Sequence, residues 1–578
     1  MMINDEKFFE NLNDNQKSVC LSPKNILLTA CPGSGKTRTI IYRLAYLKKK
    51  NENSQLLDIA ITYTNRAANE IEGRLEKMDI DISAIWTGTI HGFCMHFIIR
   101  PYAMYSKQLR RGYHVIDEFI KQEYCRKIAS DLNISIGFKD PLSIPEIKEE
   151  YYKILKNNKE IDFDMILICA IELLEQNPFI AENIASLIRS IHVDEYQDTN
   201  EKQYTILKYI FQKNKDINLL FVGDVNQAIY RSLGGTAKKK SDLSAEFGIP
   251  FMSMCLDGCY RSTQRLVDYY TKFEIEKTGV KAVSPIRAEK GIIKYDSLIH
   301  RNDLPERIAA IIQDELDGGV SANEICVVAP QWNQILPMAG QLRKLLPDIP
   351  FDAPEISPFK YDRMNPFYLI SQLVYSESGV HSRRRRRMVQ DIIDIFYSEY
   401  HISKPEIFDG HDFLKIINSV LKEDEEGVLV FEKAVSELLK AFDTDLEKVP
   451  DLKKTYDEFL KKVQYRIENF SLPHTYSDLC HYFKEREGIV MTSIHGIKGE
   501  EYHTVIAFDL LNFHLPHNKY YFEEKVHRTN DTNKLLYVLC SRAKKNLYLF
   551  SERGRKTNRG YPLTPTDELK AVDFEYDN

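Results

Sequence analysis

A glycine-rich loop between an apolar run and an amphipathic stretch constrains the fold of this chain most strongly. The residues NILLTA at 25–30 are typical of a strand, and the loop ACPGSGKT follows at 30–37. Apolar residues then recur at helical spacing through 40–47. Strand, glycine-rich turn and helix in this order form the context that a phosphate-binding loop requires, which argues against an incidental turn. The sequence therefore predicts an α/β fold with a phosphate site after its first strand.

Each part of the loop has a chemical role in that prediction. Gly33 and Gly35 let the backbone wrap a phosphate without a Cβ clash, and the following helix amino terminus adds positive potential. Lys36 can reach the β- and γ-phosphates, and the Thr37 hydroxyl is a magnesium ligand. Ala30 replaces the first glycine of the common pattern, which is a small change. A nucleoside triphosphate with Mg²⁺ is the expected ligand.

A second apolar run ends in the acidic residues that such a loop needs as partners. The run IHVDE starts at Ile191 and continues as YQD, through Asp198. Asp194 would hold the metal ion, and Glu195 would accept a proton from the attacking water. Many strands end in solvated acids, so this signal gains weight only beside the loop. Together the two features favour nucleotide hydrolysis over binding alone.

Two sets of strand-like runs organise the chain. DIAIT from Asp58 and LLFVGD from Leu219 extend the first set, and ICVVAP from Ile325 begins the second. Strands that alternate with helices indicate parallel sheets covered on both faces. The charged, helical stretches within each set predict an insertion in each, which together account for the roughly four units expected of 578 residues.

These patterns predict the domain boundaries. We expect a first lobe at 1–98 plus 188–270, a helical insertion at 99–187, a second lobe at 271–377 plus 484–560, a reduced helical insertion at 378–483, and a polar tail at 561–578. We expect the residues after Phe550 to be loosely ordered.

Charge and composition exclude several classes of protein. The 78 Lys+Arg and 84 Asp+Glu give a net charge of −6, which argues against a globally basic nucleic-acid coat protein. The start is polar and acidic, and no window approaches the roughly 18 apolar residues of a membrane span. The 10 cysteines include no C-x-x-C pair, so we expect reduced thiols and no zinc site. We therefore expect a cytoplasmic protein that binds no membrane.

Nine short strings follow one another in the order found in a known family. They are LNDNQK around Gln16, ACPGSGKTRT, ITYTNRAANEIEGRL from Ile61, GTIHGF from Gly88, VDEYQDTN from Val193, FVGDVNQAIY from Phe221, CYRST from Cys259, TSIHGIKGEEYHTVI from Thr492 and LLYVLCSRAKKNLYLF from Leu535. Each string is weak alone, whereas nine in order along nearly the whole chain are strong. On these residues the chain resembles the UvrD/Rep/PcrA-like superfamily 1 DNA helicases.

The resemblance implies two RecA-like lobes, each with a mostly helical insertion, and ATP bound in the cleft between the lobes. The residues implied to bind the nucleotide are Gln16, Ala30, Cys31, Pro32, Gly33, Ser34, Gly35, Lys36, Thr37, Arg38, Tyr260 and Glu501, with Thr37 and Asp194 on the metal. The implied catalytic set is Lys36, the general base Glu195, the γ-phosphate sensor Gln227, and the arginine fingers Arg261 and Arg542 of the second lobe. A surface salt bridge is the alternative for the two arginines, and their positions inside second-lobe motifs favour the finger role. An arginine finger contributes about 10³ to 10⁵ in rate.

The resemblance also implies contacts to single-stranded or forked DNA and movement from 3′ to 5′. The implied DNA contacts are Thr62, Tyr63, Thr89, His91, Tyr230, Thr492 and His495. Hydroxyl and imidazole groups suit phosphates, and rings stack on bases without reading sequence. For Tyr63 and Tyr230, packing at a strand end is the alternative.

The chain also departs from the family pattern. The usual Trp-Arg-Gly after Gln-Ala-Ile-Tyr is Ser232-Leu233-Gly234, so the stacking ring is missing, and only the charge has a neighbouring substitute in Arg231. Cys259 replaces an Asn, and Ser541 replaces a Thr. The compact build resembles the helicase-like subunits of Gabija-type anti-phage systems. That resemblance implies an OLD-family nuclease subunit as a partner and a role in antiviral defence.

Two other functions stay open at this stage. One is a DNA- or nucleotide-sensing ATPase subunit of a nuclease complex with little unwinding of its own, which the missing Trp favours. The other is an unrelated phosphate-loop enzyme such as a small-molecule kinase, against which the paired arginines argue. The run Arg383 to Arg387 either clamps phosphates or an acidic partner, or is a solvated helix face.

Overall fold

The computed structural model gives the structure of most of the chain. It describes residues 5–136, 140–231, 234–353, 357–360, 362–376, 382–420, 426–470, 472–484, 487–517, 521, 524–557 and 559–577. Contacts divide the chain into two compact units: 1–351 with 488–578, and 352–487.

The strands are short and mostly apolar. They are β1 (Ile26–Ala30), β2 (Leu57–Thr62), β3 (Ile85–Thr89), β4 (His114–Val115), β5 (Glu160–Ile161), β6 (Ile188–Asp194), β7 (Asn218–Gly223), β8 (Met252–Leu256), β9 (Gly258–Cys259), β10 (Lys281–Ala282), β11 (Ile292–Asp296), β12 (Ile325–Ala329), β13 (Phe351–Asp352), β14 (Ile489–Ser493), β15 (Tyr502–Ala507) and β16 (Ala543–Phe550).

Helices connect these strands and form the insertions. They are α1 (Asp5–Phe8), α2 (Asp14–Leu21), α3 (Lys36–Lys50), α4 (Asn65–Lys77), α5 (Ile90–Phe93), α6 (Arg100–Tyr102), α7 (Glu118–Asp131), α8 (Pro145–Asn158), α9 (Phe163–Gln176), α10 (Pro178–Leu187), α11 (Glu201–Lys213), α12 (Lys240–Phe247), α13 (Gln264–Tyr270), α14 (Leu304–Asp317), α15 (Trp332–Leu345), α16 (Pro366–Tyr375), α17 (Ser382–Tyr400), α18 (Gly410–Ser419), α19 (Gly427–Ala441), α20 (Pro450–Phe470), α21 (Tyr476–His481), α22 (Lys525–Cys540) and α23 (Asp567–Lys570).

The first sheet brings the carboxyl ends of three site-bearing strands together. Its order is β3-β2-β6-β7-β1-β8, and all of its pairings are parallel. Near-continuous apolar strands such as β1 are what a parallel sheet buried on both faces requires. Because β6, β7 and β1 are neighbours, the loops that follow them lie side by side.

The second sheet has the order β11-β16-β15-β12-β14-β13, with parallel pairing from β11 through β14. Helix α22 leads into β16, so Arg542 lies at the amino end of that strand. The predicted fold class, α/β with two parallel-sheet RecA-like lobes, is confirmed. All 10 cysteines are free thiols, and most are buried.

The second compact unit, 352–487, is helical and has its own core. Phe367, Ile392, Phe431 and Leu438 are fully or almost fully buried in it. The unit begins at Asp352, so residues 352–377, which we assign to the second lobe from sequence, pack with the helical insertion. The first insertion is mainly helical, with the short parallel pair β4–β5 within it.

The described residues after Phe550, 551–557 and 559–577, contact the second lobe, which corrects the expectation of a loose tail. The ring centroids of Phe574 and Tyr269 are 4.8 Å apart, and the hydroxyls of Tyr576 and Tyr269 are 3.1 Å apart. Asp577 accepts a hydrogen bond from the Ile293 N–H at 2.9 Å. Aromatic residues in a mostly polar stretch therefore hold it against the second sheet.

The sequence patterns also missed strands β3, β8 and β11. Their burial is interrupted, and β8 is largely exposed along Met252 to Cys255. Strands at or near the edge of a sheet need less apolar surface, so their composition separates them poorly from loops.

A buried ion pair joins two neighbouring strands of the first sheet. Asp58 is fully buried in β2 and accepts hydrogen bonds from Arg189 Nε at 3.0 Å and Ser190 Oγ at 2.6 Å, both in β6. We predict that Asp58→Ala destabilises this pairing by about 3–5 kcal/mol, because it leaves the guanidinium without its partner. Hydrogen exchange of peptides from β2 and β6 should accelerate by roughly 100-fold or more.

The matched control is Glu182→Ala, which removes a solvent-exposed ion pair with Lys213. Such pairs contribute about 1 kcal/mol at most, so exchange should change little. Equal effects of the two substitutions would contradict a special role for Asp58.

Candidate active site

The phosphate-loop backbone is held open by glycines and by contacts from outside the loop. Gly33 and Gly35 have φ of +71° and +80°, a region that other residues rarely adopt. A Cβ on Gly33 would lie 2.6 Å from Arg261 Cβ. The N–H of Tyr260 donates to the Gly33 carbonyl at 2.9 Å. The loop is therefore packed directly against the segment that carries the first predicted arginine finger.

The other predicted nucleotide residues surround this loop. Gln16 is buried and its Nε2 donates to the Ser34 carbonyl at 3.0 Å. Tyr260 is 44% exposed, and its hydroxyl accepts from Asn13 Nδ2 at 2.7 Å. A ring so exposed beside Gln16 leaves a face on which a base can stack. Of the remaining positions, Ala30, Cys31 and Pro32 are buried, Thr37 is half-buried, and Arg38 is exposed with its guanidinium 5.8 Å from the Tyr42 ring centroid.

Lys36 and the acidic end of β6 meet in the structure. Lys36 Nζ lies 3.3 Å from Glu195 Oε1. Burial opposes the charge on Lys36, but the carboxylates of Glu195 and Asp224 raise the Lys36 pKa above its ordinary value. Glu195 has a φ of +54°, which turns the chain sharply after Asp194 and brings the Glu195 N–H to Asp194 Oδ1 at 3.0 Å.

The two adjacent carboxyls differ in their tendency to ionise. Burial, and then the charge of Glu195, raise the pKa of Asp194. Burial also opposes ionisation of Glu195, yet Lys36 and Lys498 together lower the Glu195 pKa below its ordinary range. Glu195 is therefore ionised at neutral pH and able to accept a proton. A nearby cation would favour the ionised form of Asp194, which burial opposes.

The predicted γ-phosphate sensor and the second arginine finger contact each other. Arg542 Nη2 donates to Gln227 Oε1 at 2.8 Å, and Gln227 Nε2 donates to Asp224 Oδ2 at 2.8 Å. Arg542 is 2% exposed, and burial together with the charge of Arg261 lowers the Arg542 pKa to about 9. The guanidinium therefore stays charged while it reaches from the second sheet to the first.

The first predicted arginine finger, Arg261, has its hydrogen-bond partners in the second lobe. Arg261 Nε donates to Glu501 Oε2 at 2.8 Å, and Arg261 Nη1 donates to the Ser541 carbonyl at 2.8 Å. Burial opposes ionisation of Glu501, but Arg261 and Lys544 hold the Glu501 pKa below its ordinary value. The Arg261–Glu501 ion pair thus lies beside the phosphate loop, where Arg261 packs against Gly33.

Lys498 is a site residue that sequence reasoning missed. Its Nζ donates to the Gln227 carbonyl at 2.7 Å, pairs with the buried Asp198 carboxylate, and lies 3.8 Å from Glu195 Oε2. Lys498 lies within the string quoted from Thr492, but nothing local in that string marks it as a partner of residues so distant in the chain. Asp224, at the end of β7, was missed in the same way.

The seven predicted DNA residues fall into two groups. Tyr63, Tyr230 and His495 form one cluster: the tyrosine rings stack at 4.5 Å and 24°, and the Tyr230 hydroxyl donates to the His495 carbonyl at 3.3 Å. The tyrosines are half-buried and His495 is exposed. The two rings pack against each other, as the packing alternative predicts, and each keeps an exposed part, as stacking on a base requires.

The other four contribute hydroxyl or imidazole groups near strand ends. Thr62 and Thr89 are in register on β2 and β3, and Thr62 and Thr492 are buried. Thr89 Oγ1 accepts from the Gly92 N–H at 3.2 Å and so caps α5. Burial lowers the pKa of His91 to about 4, so this imidazole is neutral near pH 7.

The segment after Tyr230, which departs from the family pattern, forms an ion pair with helix α22 of the second lobe. Arg231 pairs with Asp531 of α22 through two hydrogen bonds, Nε–Oδ2 at 3.2 Å and Nη2–Oδ2 at 2.6 Å. Its charge is thus neutralised by a carboxylate of this chain. The neighbouring Ser232 and Leu233 lie outside the described residues.

A phosphate loop after a parallel strand, acidic ends on the neighbouring strands and an arginine from a second parallel sheet define a two-lobed nucleotide hydrolase. A family model for the UvrD/REP helicase N-terminal domain matches residues 12–147 and 139–247, and one for the UvrD-like helicase C-terminal domain matches 386–554. The chain therefore belongs to the UvrD-like helicase family, a family of ATP-hydrolysing DNA helicases, which confirms the resemblance and the enzyme class.

Full-length relatives agree with this assignment. The chain is 24% identical to the ATP-dependent DNA helicase PcrA of Staphylococcus epidermidis, over 97% of this chain and 86% of the relative. It is also 24% identical to PcrA of Staphylococcus aureus, over 91% and 80% of the two chains. Among the described helices, none combines the length and apolar character needed to cross a membrane.

The Arg231–Asp531 pair gives a test of communication between the two halves. We predict that Arg231→Glu lowers ATP turnover about two- to fivefold, because it breaks a partly exposed pair and sets two acids side by side. The exchange Arg231→Asp with Asp531→Arg should restore most of the loss. Steady-state ATPase assays with single-stranded DNA measure both. A double variant no better than the single one would exclude the pair as the cause.

Proposed function

We propose that this chain is an ATP-driven translocase that moves 3′ to 5′ along single-stranded DNA and unwinds forked duplexes. The contact of Arg542 with Gln227 carries the proposal, because it joins a cation of one lobe to the catalytic face of the other. The fit of a triphosphate between the lobes would then depend on their separation. Hydrolysis would change that separation and so move the DNA-binding surfaces.

The roles of the side chains follow from their surroundings. Lys36 and the loop N–H groups would hold the β- and γ-phosphates, in competition with Glu195 for the lysine. Glu195, kept ionised by Lys36 and Lys498, would take the proton of the attacking water. Arg261 and Arg542 would stabilise the charge that spreads over the γ-phosphoryl group. Phosphate transfer to water rather than to an acceptor separates this reaction from that of a small-molecule kinase.

The donor atoms at the strand ends fit a magnesium ion. Asp194 and Thr37 offer a carboxylate and a hydroxyl, the hard oxygen ligands that Mg²⁺ prefers. No group of three or more His, Cys, Asp or Glu side chains suited to a metal occurs within the described residues, so phosphate oxygens and water would complete the coordination. Bound there, the ion would neutralise charge on the phosphates.

The cluster of Tyr63, Tyr230 and His495 supports binding of a single strand. The ammonium of Lys498 lies 5.1 Å from the Tyr230 ring centroid, so the ring that would meet a base is next to the residue that contacts Glu195. Rings stack on any base, which agrees with movement along any sequence.

The catalytic assignment is tested by two substitutions. Lys36→Ala should abolish detectable ATP turnover because the phosphate loses its main cation. Glu195→Gln should lower turnover by about 10²- to 10⁴-fold while ATP binding persists, because an amide cannot accept the proton. Turnover and binding of a fluorescent ATP analogue are measured on both. Normal turnover in Glu195→Gln would move the base to another residue.

The DNA assignment is tested at Tyr63. Tyr63→Ala should weaken binding of a single-stranded oligonucleotide by about 1–3 kcal/mol, or roughly 5- to 150-fold, because one stacking surface is lost. Tyr63→Phe retains the ring and serves as the control. Equal loss in both variants would assign the contact to the hydroxyl, and unchanged binding in Tyr63→Ala would favour the packing role.

A second candidate is a DNA- or nucleotide-sensing ATPase subunit of an OLD-family nuclease complex in antiviral defence. The substituted Ser232 and Leu233, together with the engagement of Arg231 by Asp531, favour it. A fork-unwinding assay separates the two proposals. ATP turnover that responds to DNA without strand separation would support the sensor.

A further inference from the structure

A basic pocket lies in the helical unit, outside the nucleotide cleft. Its volume is about 550 Å³. Its wall consists of Arg385 and Arg386 from α17 and one face of α18, formed by His411, Leu414, Lys415, Asn418 and Ser419. The α18 positions follow the helical spacing of three and four residues, so one helix face is directed into the pocket.

Arg385 is built into the wall. It is 3% exposed, and Nη1 donates to the carbonyls of Leu373 at 3.0 Å and Ser376 at 3.2 Å, at the carboxyl end of α16. Its Nη2 donates to Asn418 Oδ1 at 3.2 Å, which joins α17 to α18. All of these acceptors are neutral, and burial lowers the Arg385 pKa. The guanidinium thus brings a positive charge to the pocket, and no carboxylate among the described residues pairs with it.

Arg386 and Lys415 are exposed at the same pocket. Within the described part of the chain, neither forms an ion pair. The nearest acids along the chain, Asp409 and Asp412, cap α18: Asp409 Oδ1 accepts from the N–H groups of His411 and Asp412, and Asp412 Oδ2 accepts from the Asp409 N–H. None of the residues that line the pocket is acidic.

We propose that this pocket binds a phosphate-bearing small molecule of about nucleotide size. The guanidinium fork of Arg386 and the ammonium of Lys415 match phosphate oxygens, and the buried charge of Arg385 adds positive potential behind them. The volume lies within the range of about 300–1,000 Å³ of small-molecule sites, and Leu414 adds an apolar surface for a non-phosphate part. A concave pocket on two helices favours a discrete ligand over the backbone of a long duplex. This gives Arg385 and Arg386, two members of the run Arg383 to Arg387, a place in a binding pocket rather than on a solvated face.

The test is calorimetric titration of the full chain with inorganic tripolyphosphate. Two sites per chain are expected: one in the phosphate loop that Lys36→Ala removes, and one in the helical unit that Lys36→Ala leaves intact. The double variant Arg386→Ala/Lys415→Ala should weaken the second site by about tenfold or more while the first persists. Both residues are exposed, so folding of the unit does not depend on them as it does on Arg385.

Control variants and a comparison of ligands identify what the pocket binds. Arg386→Lys should retain most of the affinity, and Lys440→Ala, which removes an exposed cation elsewhere in the same unit, should change nothing. In the Lys36→Ala chain, ATP should bind the second site and adenosine should not. A second site that is absent, unaffected by Arg386→Ala/Lys415→Ala, or occupied only by a duplex oligonucleotide would overturn the proposal.

Discussion

Buried negative charge at the carboxyl ends of the first sheet is the constraint on which the nucleotide site depends. Asp194, Asp198 and Asp224 are buried there, and Glu195 lies among them. The first sheet supplies one ammonium against this charge, that of Lys36, and the second half supplies Lys498 and Arg542. Unpaired buried charge costs several kcal/mol, so the two halves stabilise each other when they meet. A triphosphate with its metal ion would add its own charges to this set. Its binding and release would therefore change the electrostatic free energy of contact between the two lobes.

One short loop links that balance to the tyrosine cluster proposed to bind DNA. Gln227 contacts Arg542, while Tyr230, three residues later, stacks on Tyr63 and bonds the His495 carbonyl. Helix α22 leads to Arg542 and also carries Asp531, the partner of Arg231 in the same loop. A displacement of Gln227 at the phosphate is thus difficult without a displacement of the tyrosine ring. Contiguous contacts of this kind are how chemistry at one site biases the geometry of another.

The sequence predicted the parts of the site that depend on local order. A strand, a glycine-rich turn and a helix are neighbours in the chain, so Gly33, Gly35 and Lys36 could be assigned to a phosphate loop from their spacing, and the structure has the strand, the loop and the helix in that order. The fold class followed because apolar runs alternated with helical stretches. Lys498 was different, because its partners Asp198 and Gln227 are some 300 and 271 residues away in the chain. No local pattern encodes such a pair.

Other differences also come from long-range packing. The polar stretch after Phe550 packs through a few aromatic rings that contact Tyr269. Helix α16 joins the helical unit through its buried apolar residues, and Arg385 donates to the Leu373 carbonyl near its carboxyl end. In both cases the composition of a segment indicates how polar it is, but it does not identify the residues against which the segment packs. The resemblance to a family supplied what spacing could not, because it implies that the arginines of a distant segment act at the ATP site, and the structure brings Arg542 to Gln227.

The change from the family pattern after Tyr230 has a physical consequence for the grip on DNA. The cations closest to the tyrosine stack are Lys498 and Arg231, and each is committed to a carboxylate of this chain. The remaining groups proposed to meet DNA are three hydroxyls, two imidazoles, of which burial keeps that of His91 neutral, and two aromatic rings. Contacts of this composition release few counterions, so stacking carries more of the affinity than phosphate neutralisation does. The motor would then hold its strand by bases, and the positions of Tyr63 and Tyr230 would set the size of its step.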